Sequence, residues 1–233
     1  MINGKKFPSY YYSDEEIAQH KIELDPKTTA LLIVDMQNEF VQKDSGEALH
    51  YKQIGLWEKW KPFHDRLDDI VIPNTVRLID FFRKSNLEVS HARIACLHQD
   101  GRDRCMVQKK PGFNQMLLPH DSYGAQIIDE LKPLFDEIIV NKTTDSAVSG
   151  TNLTRLYRQM GIKTVVVTGI VTDQCVAGTV RGLADENFEV IVVEDCCAAA
   201  VEEAHVNELK AINIIYCYIM STDDTIKLIS ERL

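Results

Sequence analysis

The chain of 233 residues lacks several patterns that mark membrane, secreted and zinc-binding proteins. It contains no run of about 18 apolar residues, the length that spans a bilayer, so we expect no membrane helix. Its first residues contain no apolar core of the kind found in secretory signals, which favours a cytoplasmic location with reduced thiols. Its six cysteines form no C-x-x-C pair, which disfavours a zinc finger or a thioredoxin-type site.

Positive charge is also scarce, because 26 lysines and arginines face 35 aspartates and glutamates, for a net charge of −9. An acidic surface does not attract nucleic acid or anionic lipid. We therefore expect neither nucleic acid nor membrane as a partner, while the charge balance does not bear on a small-molecule substrate.

Proline is absent after Pro133, and there short apolar runs alternate with amphipathic helical patterns. Strands that are apolar nearly throughout and are separated by helices indicate a parallel sheet covered on both faces. The pattern predicts one α/β domain over residues 1–233 with six strands, at 28–35, 87–94, 136–142, 163–169, 188–195 and 213–220.

Two long stretches interrupt this alternation, at residues 41–69 and 95–124. Insertions of this length in a compact α/β domain often form lids or pocket walls. The alternative is a surface excursion or a contact between subunits, and the aromatic residues of the first stretch suit either role.

Three chemically useful side chains follow the predicted strands. Asp35 ends "ALLIVD", Lys142 ends "EIIVNK", and Cys175 lies in the first turn of the helix after "VVVTG". Taken singly, a turn-forming aspartate, a solvated lysine and a buried structural cysteine are ordinary alternatives. Because ligands bind beyond the carboxyl ends of parallel strands, all three are expected at one edge. Unpaired N–H groups at the helix start also favour a thiolate at Cys175.

At these residues the chain resembles the isochorismatase-like cysteine hydrolase family. The matching segments are "ALLIVDMQNEF", "IIVNKTTDSAVSGTNL" and "TVVVTGIVTDQCVAGTVRGLADENFEVIVVEDCCAA". The resemblance implies a three-layer α/β/α, Rossmann-like fold with strand order 3-2-1-4-5-6. It also implies a catalytic triad of Asp35, Lys142 and Cys175.

The resemblance further implies a cis peptide at Ile170–Val171 and an oxyanion hole formed by the backbone N–H groups of Val171 and Cys175. The implied reaction is cleavage of a C–N bond through a thioester, with ammonia or an amine released and no cofactor needed. The presence of the cysteine disfavours the true isochorismatases. No D-x-H or H-x-H pattern matches the ligands of metal-dependent nicotinamidases, so we predict no metal site.

The expected branch therefore acts on ureido, carbamoyl or simple carboxamide groups. A nicotinamidase-type or isochorismatase-type hydrolase, or a non-catalytic binding protein of the same fold, remains the alternative. Relatives of this kind are commonly homodimers or homotetramers, and we expect the same here.

Three further residues are candidates for substrate binding. Gln37 and Phe40 follow Asp35 closely in a stretch that lines the pocket of relatives, although Phe40 suits the core equally well. Arg93, near the end of the second strand, is placed to grip a substrate carboxylate, with Arg102 and Arg104 as weaker candidates.

Overall fold

A computed structural model describes residues 7–233 and contains one six-stranded sheet. All strands are parallel and follow the order β3-β2-β1-β4-β5-β6. Their bounds are Thr29–Val34 (β1), Glu88–Ile94 (β2), Ile138–Lys142 (β3), Thr164–Ile170 (β4), Glu189–Ala198 (β5) and Tyr218–Met220 (β6). The predicted fold class and strand order are confirmed.

Helices cover this sheet. Their bounds are Asp14–Ile17 (α1), Asn38–Val41 (α2), Gly46–Gln53 (α3), Trp57–Arg66 (α4), Ile72–Lys84 (α5), Leu153–Gln159 (α6), Ala177–Asp185 (α7), Glu202–Ile212 (α8) and Thr222–Ser230 (α9). Single π-helical turns at Leu67–Val71 and Thr172–Val176 precede α5 and α7. Short 3₁₀ turns lie at Pro26–Thr28, Val107–Lys109 and Asp129–Leu131.

The centre of the sheet is buried on both faces. Every residue of β1 and of β4 is inaccessible to solvent, and both strands are rich in β-branched and leucine side chains. Such side chains pack well on a pleated surface, and their burial from both sides provides most of the driving force for this layer. The two strands lie side by side, with Val34 opposite Gly169, so their carboxyl ends reach the same edge.

The two insertions differ in structure. Residues 41–69 are largely helical, because they contain α3 and α4. Residues 95–124 are mostly irregular apart from the 3₁₀ turn at Val107–Lys109. Between residues 7 and 233, no helix is both long and apolar enough to cross a bilayer.

Candidate active site

The backbone after β1 turns sharply at Asp35. This residue has φ +54°, a left-handed conformation that aspartate tolerates better than most residues. Its N–H donates to the Ala92 carbonyl at 2.8 Å, which ties the turn to β2. The turn leaves the carboxylate buried, with 2% of the residue exposed.

Lys142 joins the other two members of the predicted triad. Its Nζ lies 2.8 Å from Asp35 Oδ2 and donates to Cys175 Sγ at 3.3 Å and to the Thr144 carbonyl at 3.1 Å. Neither Asp35 oxygen meets a well-aligned hydrogen-bond donor among the described residues, so the ion pair with Lys142 compensates its charge. The structure therefore brings Asp35, Lys142 and Cys175 into one buried cluster.

Burial dominates the acid–base properties of this cluster. It raises the pKa of Asp35, although the Lys142 ammonium opposes the shift. Burial works against the charge of Lys142, but Asp35 and Cys175 outweigh it, so the pKa of Lys142 is raised. Burial and the negative charge of Asp35 hold the pKa of Cys175 well above its usual range. The helix start alone favours a thiolate, whereas this environment favours a neutral thiol beside an ion pair.

The turn between β4 and Cys175 contains a cis peptide bond at Ile170–Val171. The Val171 carbonyl accepts hydrogen bonds from the N–H groups of Gln174 and Val176, which fixes the orientation of the turn. Ile170, Val171 and Cys175 all line the cavity beside the sulfur. Val171 and Cys175, whose backbone N–H groups are the oxyanion-hole donors implied by the family resemblance, thus both lie at the cavity wall.

A polar network behind this turn holds it against α8. The Thr172 hydroxyl lies 2.8 Å from His205 Nδ1, and Arg66 lies 3.1 Å from His205 Nε2. Because a guanidinium can only donate, Nε2 must accept and the proton must reside on Nδ1. Arg66 also donates to the carbonyls of Glu194 and Cys197, so it links α4 to β5 under the site.

The cavity beside the sulfur is small and largely apolar. Its volume is about 40 Å³, room for a small functional group. It is lined by Asp35, Phe40, Glu47, Trp60, Phe63, Ile94, Phe113, Met116, Ile170, Val171, Gln174 and Cys175. Both insertions contribute to this lining, so both form pocket wall. Trp60 and Phe63, which also suited a subunit contact, are buried within the chain.

A wider hollow of about 670 Å³ adjoins the cavity. The two spaces share the lining residues Phe40, Glu47, Trp60, Phe113 and Met116. Trp60 is stacked between Tyr51, at 4.6 Å between ring centroids, and Phe113, at 5.7 Å. This stack joins α3, α4 and the second insertion into one wall of the hollow.

The three candidate substrate-binding residues lie at different positions relative to the cavity. Phe40 lines the cavity. Gln37 lies behind it, fully buried, with Nε2 donating to the Ile94 and Ala125 carbonyls and Oε1 accepting from the Ile94 N–H. It therefore fixes the position of Ile94, which does line the cavity.

Arg93 is not among the cavity-lining residues, and the same holds for Arg102 and Arg104. Its guanidinium donates to Asn141 Oδ1, Gln126 Oε1 and the Ala125 carbonyl, at 2.7, 2.9 and 3.1 Å. These three acceptors bind the Arg93 guanidinium, for which the sequence had predicted a substrate carboxylate as the partner.

Sequence reasoning missed Glu47, Trp60, Phe63, Phe113 and Met116 as members of the site. The available signal was the concentration of aromatic residues in the first insertion, which favoured a pocket wall without identifying its members. Within residues 7–233, no group of three or more histidine, cysteine, aspartate or glutamate side chains is arranged to hold a metal ion.

Comparisons with known proteins identify the family and the fold. A family model described as the isochorismatase domain matches residues 29–224. The ureidoacrylate amidohydrolase RutB of Acinetobacter baylyi is 28% identical over 208 residues, which cover 86% of this chain and 83% of that protein. A cysteine hydrolase structure from Pseudomonas syringae superposes with TM-score 0.75 at 22% identity, covering 91% of this chain and 97% of the other.

The N-carbamoylsarcosine amidase of Thermoplasma acidophilum is a further structural neighbour. It superposes with TM-score 0.64 at 24% identity and covers 84% of this chain and 97% of its own. At this level of identity, these two structures establish a shared fold.

Proposed function

Because this chain belongs to the isochorismatase family, we propose that it is a cysteine-dependent amidohydrolase. The substrate is a small amide, ureido or carbamoyl compound, and the product released is ammonia or an amine. The observation that supports this most directly is the contact of Lys142 with both Asp35 and Cys175, two residues that line a cavity. Relatives that are named as amidohydrolases point to the same chemistry.

In the first half of the proposed reaction, Asp35 accepts the thiol proton of Cys175 as the sulfur attacks the substrate carbonyl. A C–S bond forms, and the carbonyl oxygen takes the electron pair of its π bond. The N–H groups of Val171 and Cys175 donate to this oxyanion. When the intermediate collapses, the C–N bond breaks, and Asp35 gives its proton to the departing nitrogen.

In the second half, water attacks the thioester while Asp35 accepts one of its protons. The C–S bond then breaks, the acid product leaves, and the proton returns from Asp35 to the sulfur. Lys142 remains an ammonium throughout and stabilises the negative charge that moves between the carboxylate and the sulfur.

The electrostatics of the cluster suit these roles. The raised pKa of Asp35 makes its carboxylate a stronger base than an ordinary aspartate. The raised pKa of Lys142 keeps the ammonium charged over the working pH range. The raised pKa of Cys175 means that the thiol is neutral at rest, so proton transfer to Asp35 accompanies attack.

The test is ammonia release from a panel of ureido acids, biuret, nicotinamide and simple amides by the parent protein and by Cys175→Ala. We expect complete loss of turnover in Cys175→Ala and full activity in Cys105→Ala, whose partly exposed thiol does not line the cavity. Mass spectrometry of the parent protein stopped in acid is expected to find the acyl group on the Cys175 peptide.

Turnover that survives in Cys175→Ala would overturn the proposal. A parent protein that binds members of the panel without turning any over would instead favour a binding protein of the same fold. We also propose a cytoplasmic homodimer or homotetramer, and light scattering that finds a monomer at micromolar concentration would contradict that state.

A further inference from the structure

The ionisable side chains that line the cavity include carboxyl groups but no basic group in the described part of the chain. Its lining contains two carboxylates, Asp35 and Glu47, and none of the lysine, arginine or histidine side chains in the described part of the chain. Lys142 lies behind Asp35, fully buried and already in contact with Asp35, Cys175 and the Thr144 carbonyl. A substrate carboxylate in this cavity would therefore meet two carboxyl groups and no free cation.

Glu47 has no role in the triad. It lies in the first turn of α3, and its carboxylate accepts a hydrogen bond from the Tyr51 hydroxyl at a long 3.5 Å. Among residues 7–233, no basic group forms an ion pair with it. Burial, together with the nearby charge of Glu39, raises the pKa of Glu47 to about 8. Glu47 is partly exposed, so a ligand in the cavity can reach its carboxyl group, which is largely protonated near pH 7 until a nearby cation stabilises its charge.

Glu47 lies where the small cavity meets the wider hollow. It lines both the small cavity beside the sulfur and the wider hollow next to it. The inner cavity, about 40 Å³, is much the smaller of the two spaces, so a substrate whose scissile group lies beside Cys175 extends past Glu47 into the hollow. The two cationic residues of the hollow's lining, Lys59 and the ionisable His50, are both solvent-exposed.

We propose that Glu47 binds the distal end of the substrate, and that the site takes an amide or urea whose distal group is a cation, such as an ammonium or guanidinium. This inference rests on the proposed amidohydrolase function and specifies its substrate class. A cationic group would satisfy the Glu47 carboxylate by a charge-assisted hydrogen bond. The aromatic side chains of Phe40, Trp60 and Phe113 would enclose the methylene chain that joins it to the scissile group.

The inference distinguishes this chain from its curated relative. The Acinetobacter baylyi protein is named for ureidoacrylate, whose distal group is a carboxylate. The cavity lining contains no basic group, and the basic groups that line the hollow, Lys59 and His50, are exposed to solvent, so we expect the preference here to run in the opposite direction.

The first experiment measures ammonia release from three ureas of similar length that differ in distal charge: 3-aminopropylurea, propylurea and 3-ureidopropionate. We expect kcat/KM to fall in that order. Glu47→Gln keeps the size of the side chain and removes its charge, so kcat/KM for 3-aminopropylurea is expected to drop roughly 10- to 100-fold with little change for propylurea. Glu58→Gln, an exposed carboxylate on α4, serves as the matched control and is expected to match the parent.

The second experiment does not depend on turnover. Methanethiosulfonates with a trimethylammonioethyl, a methyl or a sulfonatoethyl group modify Cys175, and the modified peptide is quantified by mass spectrometry. Each rate is divided by the rate for free cysteine. We expect the cationic reagent to outpace the anionic one at least tenfold in the parent protein, and this ratio to fall toward one in Glu47→Gln.

The outcomes separate the two proposals. Charge selection at Cys175 that depends on Glu47, together with no turnover of these ureas or of any member of the amide panel, would support the binding inference and contradict the amidohydrolase. Turnover that favours 3-ureidopropionate, or reagent ratios that are unchanged in Glu47→Gln, would overturn the inference and leave the amidohydrolase standing. A Cys175 that reacts with none of the reagents would contradict the open cavity on which the inference rests.

Discussion

The Lys142 ammonium lies 2.8 Å from the Asp35 carboxylate in a region where neither side chain reaches solvent. Removing one member of a buried ion pair leaves the other charge without compensation, which is much more costly than removing both. The pair is thus expected to behave as one unit in stability and in activity.

We predict that Lys142→Met lowers the free energy of unfolding by about 3–5 kcal/mol and abolishes turnover. The double variant Asp35→Asn/Lys142→Met is expected to recover part of that stability while remaining inactive, because the unpaired carboxylate is then also absent. Chemical denaturation of the parent, both single variants and the double variant measures the coupling.

Lys163→Met is the control for this cycle, since Lys163 is exposed just before β4. Its effect is expected to stay within about 0.5 kcal/mol. Additive losses in the double variant would show that the two charges do not compensate each other.

The acid side of the pH profile is predicted to report Asp35. The carboxylate must be ionised to accept the thiol proton, and burial raises its pKa. Activity is therefore expected to fall, as pH is lowered, at a pH above the value of about 4 for an ordinary aspartate. Propylurea suits this measurement of kcat/KM, because its side chain does not titrate.

Glu137 provides a contrast within the same chain. The pKa of this carboxyl is lowered to about 2, with hydrogen bonds from His91 and Arg83 outweighing the effect of its burial. It does not line the cavity, so Glu137→Gln is expected to leave the acid limb unchanged. An acid limb at or below pH 4 in the parent protein would argue against Asp35 as the base.

The strands could be predicted from the sequence where an apolar, β-branched run is long enough to form a full strand. The error at β6 has a local cause: the pattern indicated a strand over 213–220, whereas β6 spans only Tyr218–Met220. Ile214 adopts φ +71°, and the Asn213 side chain donates to the Phe7 carbonyl and accepts from the Ile219 N–H. These bonds hold Asn213 and Ile214 in a turn that strand propensity alone does not reveal.

The residues of the triad were predictable because each follows a recognisable strand. The wall of the cavity was not, because the stack of Tyr51, Trp60 and Phe113 depends on packing between two insertions that are far apart in sequence. Arg93 shows the same limit, since its local acceptors Asn141 and Gln126 come from outside its own strand. The spacing of residues in the sequence predicts that a side chain lies at the edge of the sheet, but it does not reveal which groups that side chain contacts.

The glycines near the site provide a last prediction, on stability. Gly169 has φ +113°, and a Cβ there would lie 2.0 Å from the Val34 carbonyl oxygen of β1. Gly178 lies within α7, and a Cβ there would meet nothing closer than 3.7 Å, from Ser146. This spacing leaves room for a methyl group.

We expect Gly169→Ala to lower the free energy of unfolding by about 3 kcal/mol or more, since backbone atoms of two central strands would have to separate. Gly178→Ala is expected to raise it by about 0.5–1 kcal/mol, because alanine favours the helix and fits without a clash. Urea denaturation of both variants measures the two effects. If the free energy of unfolding changed in the same direction in both variants, either the contact between Gly169 and Val34 or the space beside Gly178 would differ from that in the structure.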